Sequence, residues 1–140
     1  MNQKGITFIE LVISLAILSI LASITLPLAK MTVKRTKEIE LRRDLREIRQ
    51  SIDKYKENYE KELYGRKDRN KSGYPASIYE LVEKRLLRRI PVDPMTGGTV
   101  WGTRSYSDTP GTIITDGTDV FDVFTASEDT AIDGTRDNTW

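Results

Sequence analysis

Neither cysteine nor histidine occurs among the 140 residues. The first absence removes disulfide staples and thiolate nucleophiles, the second removes imidazole bases, and together they remove the commonest zinc ligands. A catalytic centre would have to be built from carboxylates, hydroxyls and amines. The Ser, Asp and Lys residues present form no recognised nucleophile-and-base pattern, so enzymatic activity is not expected. With aromatic residues at 8% and hydrophobic residues at 38%, there is room for one apolar anchor and one small domain, but not for a large enzyme core.

Charge is scarce in one place and uneven elsewhere. The net charge is only +1, yet residues 30–91 hold 19 Lys/Arg against 11 Asp/Glu, while residues 92–140 hold 2 against 9. A basic middle and an acidic tail of this kind do different work. Residues 5–29 read G-I-T-F-I-E-L-V-I-S-L-A-I-L-S-I-L-A-S-I-T-L-P-L-A, with Glu10 as their only charged side chain. Roughly 20 apolar residues suffice to cross a bilayer. The run is too long for the apolar core of a secretory signal peptide. A carboxylate inside such a segment costs a few kcal/mol on insertion scales and points to function and a partner. Lys4 precedes the run, whereas Lys30, Lys34, Arg35 and Lys37 follow it. Positive-inside counting alone would therefore put the following residues in the cytoplasm.

The stretch K-G-I-T-F-I-E-L, followed by an apolar helix, resembles the processing signal of type IV pilins and of the pseudopilins of type II secretion. The resemblance implies that a prepilin peptidase cuts after Gly5 and methylates the new amino terminus at Ile6, making Glu10 the fifth residue of the mature chain. Ile6 stands where the family usually has Phe or Met. Burial supplies the physical account of Glu10: the carboxylate of one subunit would pair with the exposed amine of a neighbour in a filament core, where an unpaired charge is expensive. Pro27 lies within the helical pattern, removes one backbone donor and should kink or loosen the helix. In the resembling family the helix around such a proline can melt on assembly.

From Glu38 onward, Leu41, Leu45, Ile48, Ile52, Tyr55 and Tyr59 recur at steps of three and four, which places them on one helix face. Interleaved acidic and basic residues form the outer surface. No clean basic face results, and nucleic-acid binding is not expected. One helix is predicted over about residues 6–63, its later half amphipathic and in need of cover.

The cover is expected from a small head. Residues 65–73 form a polar loop bounded by glycines. Ser77 and Glu80 have capping-box spacing before a short helix whose apolar side is Ile78, Leu81, Val82 and Leu86. The stretch I-P-V-D-P-M-T-G-G at 90–98 is a rigid turn. Together with the amino-terminal signal it resembles the junction after the short helix in G-type major pseudopilins, where Arg85 replaces a frequent helix-ending glycine. Short antiparallel strands are predicted over 99–106, 111–115 and 119–125.

The tail A-S-E-D-T-A-I-D-G-T-R-D-N-T-W crowds Glu128, Asp129, Asp133 and Asp137 together. These repel unless solvated or joined by a cation, and calcium takes six to eight oxygen ligands in flexible geometry. The spacing is not that of an EF-hand. A solvated acidic tail and a metal loop both stay open on the residues alone. The resemblance to G-type pseudopilins implies calcium, with Asp129 and Asp137 as side-chain ligands, Asp133 as an extra candidate, and the carbonyls of Ala126 and Ala131 as possible partners.

These readings define an α+β chain. Its expected parts are a leader at 1–5, a membrane or filament-core helix at 6–29, its amphipathic continuation at 30–63, and a periplasmic head at 64–140. The expected function is that of a major pseudopilin polymerising from a single-pass inner-membrane pool into a periplasmic fibre. Its partners would be other copies of itself, the prepilin peptidase, minor pseudopilins and the assembly platform. The alternatives are a type IV pilin of a surface pilus for motility, adhesion or DNA uptake, and a membrane-anchored calcium-binding module that does not polymerise.

Overall fold

A computed structural model describes residues 7–68, 70–109 and 115–140 of the chain. Helix α1 runs over Phe8–Glu60. The chain falls in two units, Met1–Thr36 and Lys37–Trp140.

Within the first unit the described side chains from Phe8 to Val33 are exposed, so their apolar surface is uncovered. Four hydroxyls of this segment are satisfied within the helix. The hydroxyls of Ser14, Ser19, Thr25 and Thr32 donate to the carbonyls of Glu10, Leu15, Leu21 and Leu28 at 2.8, 2.7, 3.0 and 3.0 Å. Such bonding to the residue four positions back suits a helix destined for an environment without water. Among the described residues, α1 is the one helix long and apolar enough to cross a membrane. Pro27 lies inside it.

In the second unit the predicted stripe becomes the core. Leu41, Leu45, Ile48 and Ile52 are at most 1% exposed, Tyr55 is buried, and Tyr59 packs against them partly buried. The helix ends at Glu60, slightly before the predicted end. Glu62 adopts φ 57°, the Leu63 N–H donates to the Asn58 carbonyl at 3.1 Å, and the Glu62 N–H donates to that of Tyr59 at 3.0 Å. These paired bonds across a left-handed residue are a Schellman cap, built here on glutamate where glycine is usual.

Helix α2, Ile78–Glu83, brings Ile78 and Leu81 into the same core. Its amino-terminal cap departs from the expected box. Ser77 occupies the cap position in an extended conformation, but its side chain makes no capping bond. Glu80 instead accepts the Ala76 N–H at 2.8 Å and the Tyr55 hydroxyl at 2.6 Å. The carboxylate therefore ties α2 to α1. Burial, reinforced by this bond, pushes the Tyr55 phenol above its usual range. The carboxyl end of α2 repeats the Schellman pattern. Arg85 sits at φ 59°, with Leu86 N–H to Leu81 carbonyl at 2.9 Å and Arg85 N–H to Val82 carbonyl at 3.0 Å. Arg85 thus ends the helix in the conformation that glycine would take. Leu87 is buried and Leu86 only partly so.

The 90–98 turn is part of the core. Asp93 is 0% exposed; its Oδ2 accepts the Thr125 hydroxyl at 2.6 Å and its Oδ1 accepts the Met95 N–H at 2.9 Å. The Trp101 indole donates to the Pro91 carbonyl at 3.0 Å. Strands β1, Gly102–Arg104, and β2, Asp122–Phe124, pair antiparallel with Thr103 opposite Val123. Both are shorter than predicted. Most of the predicted 111–115 strand lies outside the described residues. Val123 and Thr125 are fully buried on one face, while Phe121 stays half exposed. Phe121 joins Tyr74 and Tyr106 in an aromatic cluster with centroids 5.1 to 5.6 Å apart. That cluster ties the chain after β1 to the entry into α2.

Candidate functional site

Gly5 and Ile6 lie outside the described residues. The first described feature is the start of α1. Thr7 precedes it, accepting the Glu10 N–H on Oγ1 at 3.4 Å, while its carbonyl accepts the Leu11 N–H at 3.1 Å. Threonine before the helix and glutamate in its first turn are the capping arrangement that Thr-x-x-Glu spacing favours. That signal was open to sequence reading and was missed for Thr7. Glu10 is exposed in the first turn, where a negative charge meets the positive end of the helix dipole. Its carboxylate has no partner among the described residues, and the side chains next to it in sequence, Ile9 and Leu11, are apolar.

The acidic loop is folded on itself. Thr130 and Arg136 form an antiparallel bridge, the Ala131 N–H donates to the Thr135 carbonyl at 2.7 Å, and the Asp137 N–H donates to that of Asp129 at 2.9 Å. A 3₁₀ turn over Asp137–Thr139 follows. Asp133, at the tip, accepts the Thr135 N–H and hydroxyl on Oδ1 at 2.9 and 2.6 Å. Its Oδ2 pairs with Arg42 of α1 at 3.2 Å. The Thr135 bonds, helped by Arg42, hold the Asp133 carboxyl below the usual carboxylate range.

Asp129, Ala131, Asp133 and Asp137, four of the five expected calcium donors, lie on this hairpin. Both Asp133 oxygens face Thr135 and Arg42. The Ala131 carbonyl accepts the Gly134 N–H at 3.1 Å, Asp137 is buried, and Asp129 and Ala126 are exposed. Among the described residues, no group of three or more acidic side chains is placed to hold a metal ion.

Residues 1–26 match the prokaryotic N-terminal methylation motif. The match supports a type IV pilin-like subunit with a membrane-anchored, single-pass chain, and it implies processing by a prepilin peptidase. No curated protein and no solved structure matches the chain. The methylation motif takes in Gly5, Ile6, Thr7 and Glu10. In the structure its described part is the cap and the first turns of α1. Pro27 follows just beyond it, still within the helix.

Sequence reading also missed the buried role of Asp93 and the partners of the acidic loop. An aspartate between two prolines carries only a turn signal. Its pairing with Thr125 joins residues 32 positions apart, beyond the reach of local pattern.

Proposed function

We propose that the chain is a major pseudopilin, the structural subunit of the periplasmic fibre of a type II protein secretion system. The carrying observation is Glu10, a carboxylate without a partner among the described residues, on an exposed apolar helix within the methylation motif. A charge so placed needs a counter-charge when water is removed. Cleavage after Gly5 creates one as the amine of Ile6, and in a packed fibre that amine comes from a neighbouring copy. The same apolar surface that holds the precursor in the inner membrane then becomes the fibre core, and the head stands in the periplasm. Assembly would draw on minor pseudopilins and an inner-membrane platform.

The secretion fibre is favoured over a surface pilus by the I-P-V-D-P turn, by the acidic tail and by the absence of the cysteine pair common in pilin heads. Two experiments test the reading. Co-expression with a prepilin peptidase should shorten the chain by the leader through Gly5 and add one methyl group at Ile6, seen by intact-mass measurement. A chain left uncut and unmethylated would remove it from the pilin-like class. Deleting the gene should then abolish exoprotein secretion; loss of surface motility with secretion intact would select the type IV pilin reading.

A further inference from the structure

We propose that the cations closing the apolar run of α1 bind the anionic headgroups of phospholipids at the membrane surface, a role that rests on α1 being a membrane anchor and not on which fibre the chain builds. Residues 8–29 of α1 number 22 and span about 33 Å at 1.5 Å per residue, close to the thickness of a bilayer's hydrocarbon core. Lys30, Lys34 and Arg35 come next, so a helix threading the bilayer holds them at headgroup depth. Lys30 and Lys34 are four positions apart and share a helix face, and Arg35 is the next residue round the helix. Lys30 and Arg35 are exposed. The hydroxyls beside them turn back into the helix: Thr32 and Thr36 donate to the carbonyls of Leu28 and Thr32, each at 3.0 Å.

Charge balance supplies the sign of the partner. Between Glu10 and Glu38 the chain has no carboxylate, and neither Lys30 nor Arg35 forms an ion pair among the described residues. Other cations of α1 are matched from within the chain. In the second unit Arg42, Arg43, Arg49, Lys54 and Lys56 each lie 2.6 to 3.5 Å from a carboxylate. Lys30 and Arg35, at the membrane edge, are left for a partner outside the chain. Headgroup phosphates supply that charge, and a basic stretch beside a membrane helix favours anionic lipid by roughly fivefold per Lys or Arg. The apolar stems of these side chains lie along the helix while the charged ends stay at the interface. Positive-inside counting reads such residues only as a bias on orientation. Headgroup binding is the same contact on either face of the membrane. It fixes the depth of the unassembled chain, and leaving the bilayer for a fibre breaks it.

The test uses the full-length chain in vesicles of phosphatidylcholine and phosphatidylglycerol. The chain has no cysteine, so Met31→Cys, at a position 58% exposed on α1, gives a single site for a fluorophore. Its quenching by spin-labelled phosphatidylglycerol is compared with that by spin-labelled phosphatidylcholine at equal mole fraction and low salt. The anionic lipid should be preferred at least about fivefold. Combining Lys30→Gln, Lys34→Gln and Arg35→Gln should bring the preference below about twofold, as should 1 M salt, which cuts the screening length to about 3 Å. Lys30→Arg with Lys34→Arg should keep it. Glutamine is a good helix former, and resistance to alkaline extraction should show the triple variant inserted as the parent is. Equal quenching by the two lipids in the Met31→Cys chain, or an undiminished preference in the triple variant, would overturn the proposal. A preference present only at high protein density would assign the cations to a second copy of the chain and overturn it as well. Quenching by neither lipid would place residue 31 away from the bilayer and remove the anchor reading with it.

Discussion

Replacing Asp93 by alanine provides a demanding test of how the head is held together. The carboxyl is fully buried and accepts two hydrogen bonds, from the fully buried Thr125 hydroxyl at 2.6 Å and from the Met95 amide at 2.9 Å. Thr125 Oγ1 in turn accepts the Ser127 N–H at 3.1 Å, so the three residues form a short chain of bonds. Alanine leaves the Thr125 and Met95 donors without their acceptor, at about 1–3 kcal/mol each. Removing a buried carboxyl also relieves its own desolvation, which offsets part of that loss. The balance comes to about 3 kcal/mol of destabilisation. For a unit of roughly 100 residues this lowers the melting midpoint by about 12 °C or more. Asparagine keeps the shape and one oxygen acceptor for Met95, and should cost only about 1 kcal/mol. Trp101, buried and bonded to the Pro91 carbonyl in the same turn, makes fluorescence a local reporter as well as a global one. An alanine variant melting within about 2 °C of wild type, or an asparagine variant as damaged as the alanine one, would refute the reasoning.

Other outcomes follow from the same geometry. Arg85→Gly should stabilise the second unit by roughly 0.5–1 kcal/mol, because a left-handed backbone at φ 59° strains a residue with a Cβ more than glycine's extra freedom costs; a midpoint a few degrees higher checks this, and a lower one contradicts it. Glu10→Gln should leave membrane insertion unchanged and strongly reduce fibre assembly, read by fractionation and by sheared-fibre yield; assembly at wild-type level would sink the pairing with the Ile6 amine. Acid should loosen the acidic loop. The folded-state pKa of Asp133 is lowered, chiefly by its Thr135 bonds. Its contribution is therefore complete above the unfolded value of about 3.9 and is lost as pH falls through the lower folded value. Loop amide exchange should stay flat between about pH 7 and pH 5 after correction for intrinsic rates, then rise in this acid range; a transition near neutrality would point to a different group.

Some of the fold was legible because its signals are local. Steps of three and four from Leu41 to Tyr59 identify a buried helix face whatever covers it, and each of those side chains lies in or against the core. The α2 segment was legible for the same reason, through Ile78 and Leu81. Where the helices end was less legible. Glu62 and Arg85 carry the left-handed caps without the glycine that advertises them, so the chain pattern showed no stop. At Ser77 and Glu80 the spacing of a capping box was present, but Tyr55 of α1 competes for the carboxylate and Ala76 takes its second bond. The strands were overestimated in length because Val, Ile, Thr and aromatic content marks extended chain, whereas ladder formation needs a neighbour in register.

The amino-terminal half of the candidate site was written in the order of residues. A glycine, a carboxylate five positions on and an apolar run beyond them are adjacent in sequence, and a short motif carries them together. The acidic loop shows the opposite limit. Its composition determined that these carboxylates repel and need compensation, but composition could not choose between water, a metal ion and a protein cation. Arg42 meets Asp133 across 91 positions of chain, and Arg49 meets Asp122 across 73. Charge pairing at such separations depends on which helix face the core turns toward the loop. The sequence by itself determined the helix, its buried stripe and the crowding of carboxylates in the loop; only the tertiary structure decided that Asp133 meets Arg42, because packing Leu41, Leu45 and Ile48 inward carries Glu38, Arg42 and Arg49 to the loop.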